Sequence, residues 1–262
     1  MKYILNLAAA AFVAVTGFAA AAAEIRVVSS VGMKAVIEEA KPLFERVSGH
    51  KLIVVFGTAV PLKRQLEEGE AFDLAILTPP LIADLAEHGR VVPLSVIDVA
   101  MAGLGLAIRK GAAKPDISTP DALKRALLDA KSIAHSKEGQ SGAAAVRVME
   151  KLGVAEEMKP RVLLETRPGG SVMAVNEGKA ELGFALVSEI VPIPEVDYLG
   201  PVPESLQTYT IFTAGISVGS RVPDAAKTFV RFLLSEDVAP IRRAKGMERA
   251  AMVTLERKPA PK

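Results

Sequence analysis

The sequence predicts an α/β fold of two lobes, each with a central, mostly parallel sheet flanked by helices. Short β-branched runs alternate with helical patterns along the chain, an arrangement typical of parallel sheets that are covered on both faces. The chain has 262 residues without a long linker or a low-complexity segment, and this length fits two lobes that the chain joins twice. We expect lobe 1 to comprise residues 24–104 and 215–262, and lobe 2 to comprise residues 105–214.

Residues 1–23 have the pattern of a secretory signal peptide. Lys2 is followed by an alanine-rich apolar segment, and the small residues Ala21 to Ala23 precede the first strand, as a cleavage site requires. An uncleaved anchor is the alternative, because the apolar segment is long. We predict cleavage near Ala23 and a periplasmic location, since no later run reaches the roughly 18 apolar residues of a second span.

Composition narrows the function classes. The net charge is only +2, tryptophan is absent and aromatic residues make up 5% of the chain, so nucleic acid and stacking-based recognition are disfavoured. The chain has no cysteine, which excludes disulfides and gives no indication of a lipid anchor. A hydrophobic content of 50% supports an ordinary globular core.

The first lobe begins with strands that end in small residues and open helices. Ile25 to Val28 is a strand, and Val36, Ile37 and Phe44 recur at helical spacing after it. The pattern then predicts strands at 50–56 and 72–77 and helices at 62–68 and 81–88. We interpret 96–109 as the crossover to the second lobe.

The second lobe continues the alternation. We predict strands at 132–135, 161–165 and 181–187, and helices at 123–129, 143–152 and 171–177. The proline-rich segment 191–203 is interpreted as a surface connection. Residues 207–218 alternate as a strand that crosses back to lobe 1, where helices at 223–234 and 237–244 pack, and the tail 257–262 is expected to be disordered.

Small-residue loops follow several of these strands. In open parallel sheets, ligands bind at the carboxyl ends of the strands, and the free backbone N–H groups of helix N-termini favour an anion there. The alternative is that these residues only cap and turn the chain. The candidate ligand-binding residues are Ser29, Ser30, Gly32, Thr58, Ala59, Ser141, Gly142, Arg167, Gly169 and Gly170.

Four segments together resemble the periplasmic substrate-binding proteins of ABC importers, type II, and most closely the molybdate-binding family. They are IRVVSSVGMKAVIEEAKPLFE, VVFGTAVPLKRQLEEGEAFDLAIL, GKAELGFALVSE and AAKTFVRFLLSEDVAPIRRAKGM. The resemblance covers nearly the whole chain after residue 23. It implies a two-lobe periplasmic-binding-protein type II fold that closes on an oxyanion and delivers it, as a monomer, to a membrane permease.

The resemblance carries the family's ligand contacts over only in part. The first serine of the family falls at Gly32, which lacks a hydroxyl, and the second falls at Thr58, which keeps one. A backbone N–H contact falls at Ser141. Another falls near Pro168, which has no N–H, so that Gly169 or Gly170 must replace it. The family's tyrosine falls at Leu186. The ligand is therefore expected to be a small anion, either an oxyanion or a small carboxylate.

Two side chains could supply what is missing. Arg167 is the candidate for a carboxylate, because a guanidinium binds a carboxylate bidentately; the alternative is a solvated loop arginine. His135 ends a predicted strand and is interpreted as a satisfied, partly buried histidine rather than a ligand or a pH sensor.

Catalysis, metals and cofactors are not predicted. Ser29, Asp73 and His135 could form a triad, but no G-x-S-x-G motif is present, and the three histidines lack a metal-binding spacing. The runner-up to transport is a ligand-loaded sensor that docks to a membrane receptor, because both functions use the closed form as the signal.

Overall fold

A computed structural model describes residues 22–250. The predicted signal peptide, except for its last two residues, and the predicted tail lie outside this range. The strands are β1 (Glu24–Ser30), β2 (Lys51–Gly57), β3 (Leu74–Leu77), β4 (Ile97–Arg109), β5 (Ile133–Ser136), β6 (Val162–Glu165), β7 (Leu182–Leu186), β8 (Val196–Pro201), β9 (Tyr209–Ile216) and β10 (Met247–Glu248). The helices are α1 (Lys34–Ser48), α2 (Ala59–Glu67), α3 (Pro79–Glu87), α4 (Pro120–Asp129), α5 (Gln140–Lys151), α6 (Ala155–Met158), α7 (Gly170–Asn176), α8 (Val187–Ile190), α9 (Pro223–Leu234) and α10 (Ala239–Ala244).

The strands form one curled, mixed sheet with the order β2-β1-β3-β9-β4-β7-β5-β6. Strands β1, β2 and β3 are parallel to one another, and so are β5, β6 and β7. Antiparallel β9 and β4 lie between these groups. The first half of the molecule is built on the β1 group and the second half on the β5 group, which confirms the predicted fold class.

The halves have separate hydrophobic cores. In the first half, α1 packs Phe44 between Phe229 and Phe232 of α9, with ring centroids 4.8 and 5.5 Å from Phe44. In the second half, Phe184 of β7 is fully buried among residues of α4 and α5. Amphipathic helices cover the sheet in both halves because their apolar stripes match it.

Strand β4 joins the two halves. Its residues 97–103 pair with β9, and its residues 104–108 pair with β7. This change of partner falls at the predicted boundary near Leu104. Strand β9 lies between β3 and β4, so its pairing favours a return point before Tyr209 rather than at residue 215. The division into lobes remains a proposal.

The prediction for residues 191–203 was wrong. The segment contains β8, which pairs antiparallel with residues 105–109 of β4. Prolines are tolerated in such a strand when it lies at an edge, because only one side must supply ladder hydrogen bonds. The proline content concealed the strand from the sequence pattern.

Candidate functional site

Loops from both halves meet at the carboxyl ends of the strands and enclose a small cavity, here called the inner cavity. The first half contributes the end of β1, the β2–α2 junction and the start of β9. The second half contributes the β5–α5 and β6–α7 loops and α8. The lining residues are Ser30, Val31, Thr58, Ala59, Ser136, Gly139, Gln140, Ser141, Arg167, Gly169, Gly170, Ser171, Leu186, Glu189 and Thr210.

Most of the predicted ligand residues lie around this one cavity. They are Ser30, Thr58, Ala59, Ser141, Arg167, Gly169 and Gly170. The loops come from distant parts of the chain and meet as parallel-sheet topology requires. Ligand binding by these residues remains a prediction.

Ser29 and Gly142 do not line the cavity. Ser29 is fully buried, and its hydroxyl donates to the Ser30 carbonyl at 3.2 Å. Gly142 lies against the backbone of Ser136, and a Cβ atom at residue 142 would come within 1.7 Å of that carbonyl oxygen. The glycine therefore allows α5 to approach β5 closely. Both residues serve the fold rather than the cavity surface.

Gly32 is also withdrawn from the cavity. A Cβ atom at this position would lie 2.5 Å from the ring of Phe212 and 3.0 Å from the Leu186 side chain. These two apolar side chains occupy the space into which a residue-32 side chain would project. Ser30, another of the predicted ligand residues, lines the cavity and is 8% exposed.

Thr58 and Ser141 place donors at the starts of long helices. Thr58 precedes α2, and its side chain makes no capping hydrogen bond to that helix, so the hydroxyl is not used to satisfy the helix. Ser141 lies in the first turn of α5 and is 5% exposed. The preceding turn is fixed by Gly139, whose N–H donates to the Ser136 hydroxyl at 2.8 Å.

Arg167 is held by carboxylates rather than free. Its guanidinium contacts both oxygens of Glu165, at 3.2 and 3.3 Å, and one oxygen of Glu177 at 3.4 Å. These hydrogen bonds, with Glu165 the largest contributor, raise the pKa of Arg167. Lys179 also binds Glu177, at 2.6 Å. The cluster is thus neutral overall, and Arg167 has only its remaining N–H groups to offer.

The glycines beside Arg167 have different roles. Gly169 has φ 69°, a left-handed conformation that glycine adopts without strain. The N–H of Gly170 donates to the Arg167 carbonyl at 2.9 Å. Of these two predicted replacements for the missing N–H, Gly170 is therefore committed to its own turn.

Glu189 was missed as a site residue. It follows β7 on α8 and lines both the inner cavity and an adjoining outer pocket formed with Lys34, Glu38 and Pro192. Burial raises the pKa of Glu189 to about 7, and a smaller effect of a backbone hydrogen bond from Leu186 opposes this. The sequence placed Glu189 at a strand tip, and its position beside the predicted loops was the available signal.

Further polar residues were missed as well. Ser136, Gln140, Ser171 and Thr210 all line the inner cavity. Ser136 and Gln140 lie within the predicted loop between the strand at 132–135 and the helix at 143–152, and Ser171 follows Gly170 directly. Thr210 lies on β9, which shows no small-residue loop, so no local pattern indicated it.

His135 is satisfied, as predicted. It is 4% exposed, and its Nδ1 lies 3.0 Å from the Ser136 carbonyl, a distance at which a ring N–H donates to that oxygen. Asp73 accepts hydrogen bonds from the Arg26 N–H at 2.8 Å and the Ser220 hydroxyl at 2.7 Å. Ser29 donates to the Ser30 carbonyl. Ser29, Asp73 and His135, the three residues considered for a catalytic triad, therefore each have other hydrogen-bond partners.

Among residues 22–250, one group of side chains could present metal ligands. Glu67, Asp84 and His88 bring ligand atoms within 4.8 Å of one another on the outer faces of α2 and α3. Lys63 already binds this group, at 2.7 Å from Glu67 and in contact with Asp84. The ammonium therefore supplies the positive charge there.

A second cavity lies at the opposite edge of the second half. It is lined by Arg109, Ser132, Gly178 and Glu181, among others, where β5 and β7 begin. None of the predicted ligand residues reaches it, and parallel sheets bind ligands at the other edge. We therefore assign the candidate site to the inner cavity.

The chain belongs to a family described as Bacterial extracellular solute-binding protein, which matches residues 25–248. The "Aconitate isomerase" of Pseudomonas sp is 30% identical over 223 residues, which cover 82% of this chain and 84% of that protein. The "Molybdate-binding protein ModA" of Azotobacter vinelandii is 30% identical over 173 residues, covering 66% of this chain and 68% of that protein.

A solved structure supports the fold assignment. The Azotobacter vinelandii periplasmic molybdate-binding protein superimposes with a TM-score of 0.75 at 19% identity, over 87% of this chain and 100% of that chain. The chain is thus a solute-binding protein with the type II fold, and it is similar to molybdate-binding proteins. Among residues 22–250, no helix is long and apolar enough to cross a membrane.

Proposed function

We propose that the inner cavity captures a small carboxylate anion, which the protein delivers in the periplasm, as a monomer, to the permease of an ABC importer. The observation that carries the proposal is the convergence of Ser30 and Thr58 from one half with Ser141 and Arg167 from the other on one cavity. A ligand that contacts both halves selects the closed form, and the closed form is the signal to the permease.

A carboxylate fits this cavity better than a tetrahedral dianion. Neutral donors must nearly all be present to hold such a dianion, because each hydrogen bond to a charged group contributes about 1.5–3 kcal/mol. Here Gly32 has no hydroxyl, and Leu186 brings an apolar surface to the cavity. The N–H groups of the planar Arg167 guanidinium that Glu165 and Glu177 leave open can bind a carboxylate instead.

A second candidate is isomerisation of an unsaturated tricarboxylate. The observation that favours it is the 30% identity, over 82% of this chain, to a protein named aconitate isomerase. Capture and delivery remain the first candidate, because the family as a whole is described as solute-binding. The two candidates agree on the class of ligand.

The test is a thermal-shift and calorimetric panel of molybdate, tungstate and sulfate beside succinate, citrate and the two aconitate isomers. We expect the carboxylates to stabilise the protein and the oxyanions to leave it unchanged. The double variant Thr58→Ala/Arg167→Ala should lose the shift, whereas Thr228→Ala/Arg231→Ala on α9 should retain it. A shift with molybdate alone, or a shift retained in the first variant, would contradict the proposal.

The sensor alternative needs a separate measurement. Liganded protein added to vesicles that contain an ABC permease and its ATPase should raise ATP hydrolysis if the partner is an importer. Binding to a chemoreceptor or kinase without such stimulation would favour the sensor.

A further inference from the structure

Glu189 is the one carboxyl that lines the inner cavity among the residues the structure describes. It reaches the cavity because α8 follows β7 directly and packs between the halves, against β4 and the start of α1. Glu189 lines the outer pocket too, so this residue borders both spaces.

No cation or side-chain donor within residues 22–250 contributes to the ionisation of Glu189. Burial is the main cause that shifts its pKa, to about 7. At neutral pH the acid and the carboxylate are therefore present in comparable amounts, and such a group can both accept and return a proton. This is the property that separates Glu189 from an ordinary paired carboxylate.

The charged side chains that line a pocket with Glu189 are paired, and so is Asp197 on β8, a strand that α8 contacts. Lys34 and Glu38 on α1 lie 3.8 Å apart, and Asp197 on β8 binds Lys114 at 3.2 Å. Arg167 is held by Glu165 and Glu177.

Other groups cannot take the same role. The Nδ1 of His135 is occupied by the Ser136 carbonyl, and the ring does not line the cavity. Arg167 is too basic to accept a proton. The serine and threonine hydroxyls of the cavity are hydrogen-bond donors and acceptors rather than bases. They can instead hold the carboxylates of a ligand.

We propose that Glu189 shifts a proton between two carbons of an unsaturated polycarboxylate and so moves its double bond. The inference rests on the proposed capture of a carboxylate. The Glu189 carboxylate takes a proton from the CH₂ carbon beside the alkene, and the C–H electron pair becomes the new C=C bond. The old C=C pair moves onto the far alkene carbon and its carboxylate, and that carbon then receives the proton back from Glu189. Atoms and electrons balance without a co-reactant.

The remaining cavity groups support this step. As charge develops on the ligand, the Thr58 and Ser141 hydroxyls and the free N–H groups of Arg167 can stabilise the oxygens that carry it. When the proton returns to the other carbon, the alkene geometry is set anew, so a trans isomer can become cis.

The experiment supplies trans-aconitate to the full chain in D₂O and follows it by proton NMR. We expect conversion to the cis isomer, with deuterium entering the carbon positions when Glu189 exchanges with solvent. The rate should rise with pH to a plateau above about 7, as the base ionises. Glu189→Gln should lower the rate by roughly a hundredfold or more, and should still show the ligand-induced thermal shift. The control is Glu195→Gln, which removes an exposed carboxyl six residues further along the chain. This variant should convert trans-aconitate at the wild-type rate.

A second variant distinguishes loss of the carboxyl from misfolding. Glu189→Asp keeps the carboxyl and should retain part of the rate with a similar pH profile. Conversion that survives in Glu189→Gln would overturn the inference, and so would wild-type protein that shows a thermal shift without conversion; the second result leaves the proposed function intact. Absence of a shift with every carboxylate contradicts the proposed function itself.

Discussion

The two walls of the inner cavity differ in the kind of group they present. The first half supplies Ser30, Thr58 and Ala59, which are neutral. The second half supplies Arg167 and Glu189, whose charges can pair or titrate. Fixed dipoles orient a ligand at any pH, whereas ionisable groups make binding depend on pH and salt. If the proposed function is right, selectivity and chemistry should depend mainly on the second half, and substitutions in the two halves should differ accordingly.

The largest effect is expected from Glu189. Its pKa in the folded protein, about 7, is above the ordinary value of 4.5, so its stabilising contribution is complete below pH 4.5 and is lost as pH rises through 7. The loss is at most about 3 kcal/mol in the free energy of unfolding. Urea unfolding at pH 5 and pH 8 should show it in the wild type and in Glu195→Gln, but not in Glu189→Gln. Equal pH dependence in all three proteins would contradict the assignment.

Gly32 tests how tightly the first half is packed behind the cavity. Gly32→Ala should lower the free energy of unfolding by about 2 kcal/mol, because the new methyl overpacks against Phe212 and Leu186. Gly219→Ala is the control, since the nearest atom to a Cβ there is 3.7 Å away. Denaturant unfolding measures both, and equal stability of the two variants would show that the contact with Phe212 relaxes freely.

Thr58 tests the neutral wall directly. Thr58→Val keeps the shape and removes the hydroxyl, so affinity for the best carboxylate of the panel should fall about tenfold, or about 1.4 kcal/mol. The loss should not vary with salt. Thr228→Val on α9 is the matched control, and calorimetry that gives both variants the wild-type affinity would remove Thr58 from the site.

Arg167 should have the smallest effect, because Glu165 and Glu177 already share its charge. Arg167→Ala should weaken carboxylate binding roughly fivefold at low salt and less at high salt. Lys179→Ala, which removes the other cation on Glu177, should change affinity less. A salt-independent loss in Arg167→Ala would indicate a purely steric role.

The sequence predicted features that are local. Periodicity and caps placed α9 at residues 223–234, which are its observed bounds. Small residues after strands identified Thr58, Ser141 and Gly169, because the carboxyl ends of parallel strands must meet at one edge.

Features that depend on contacts between distant segments were not predictable in this way. Phe212 fills the space beside Gly32 although the two residues are 180 positions apart in the chain. The raised pKa of Glu189 arises from burial by the residues packed around it. The residues next to it in the sequence do not indicate that burial. Strand β8 needed β4 as a partner before its edge position became evident.

The continuity of β4 has a mechanical consequence. Strand β4 pairs with β9 in the first half and with β7 in the second half. Separating the halves therefore requires twisting of β4 and of the segment before β9, rather than movement of a flexible linker. The side-chain amide of Gln207 clamps this crossing point: its oxygen accepts from the Leu104 N–H at 2.8 Å, and its nitrogen donates to the Leu104 carbonyl at 3.0 Å. We expect Gln207→Leu to soften the joint, which small-angle scattering would report as a larger radius of gyration without ligand. The side-chain amide of Gln207 would then control how easily the two halves separate.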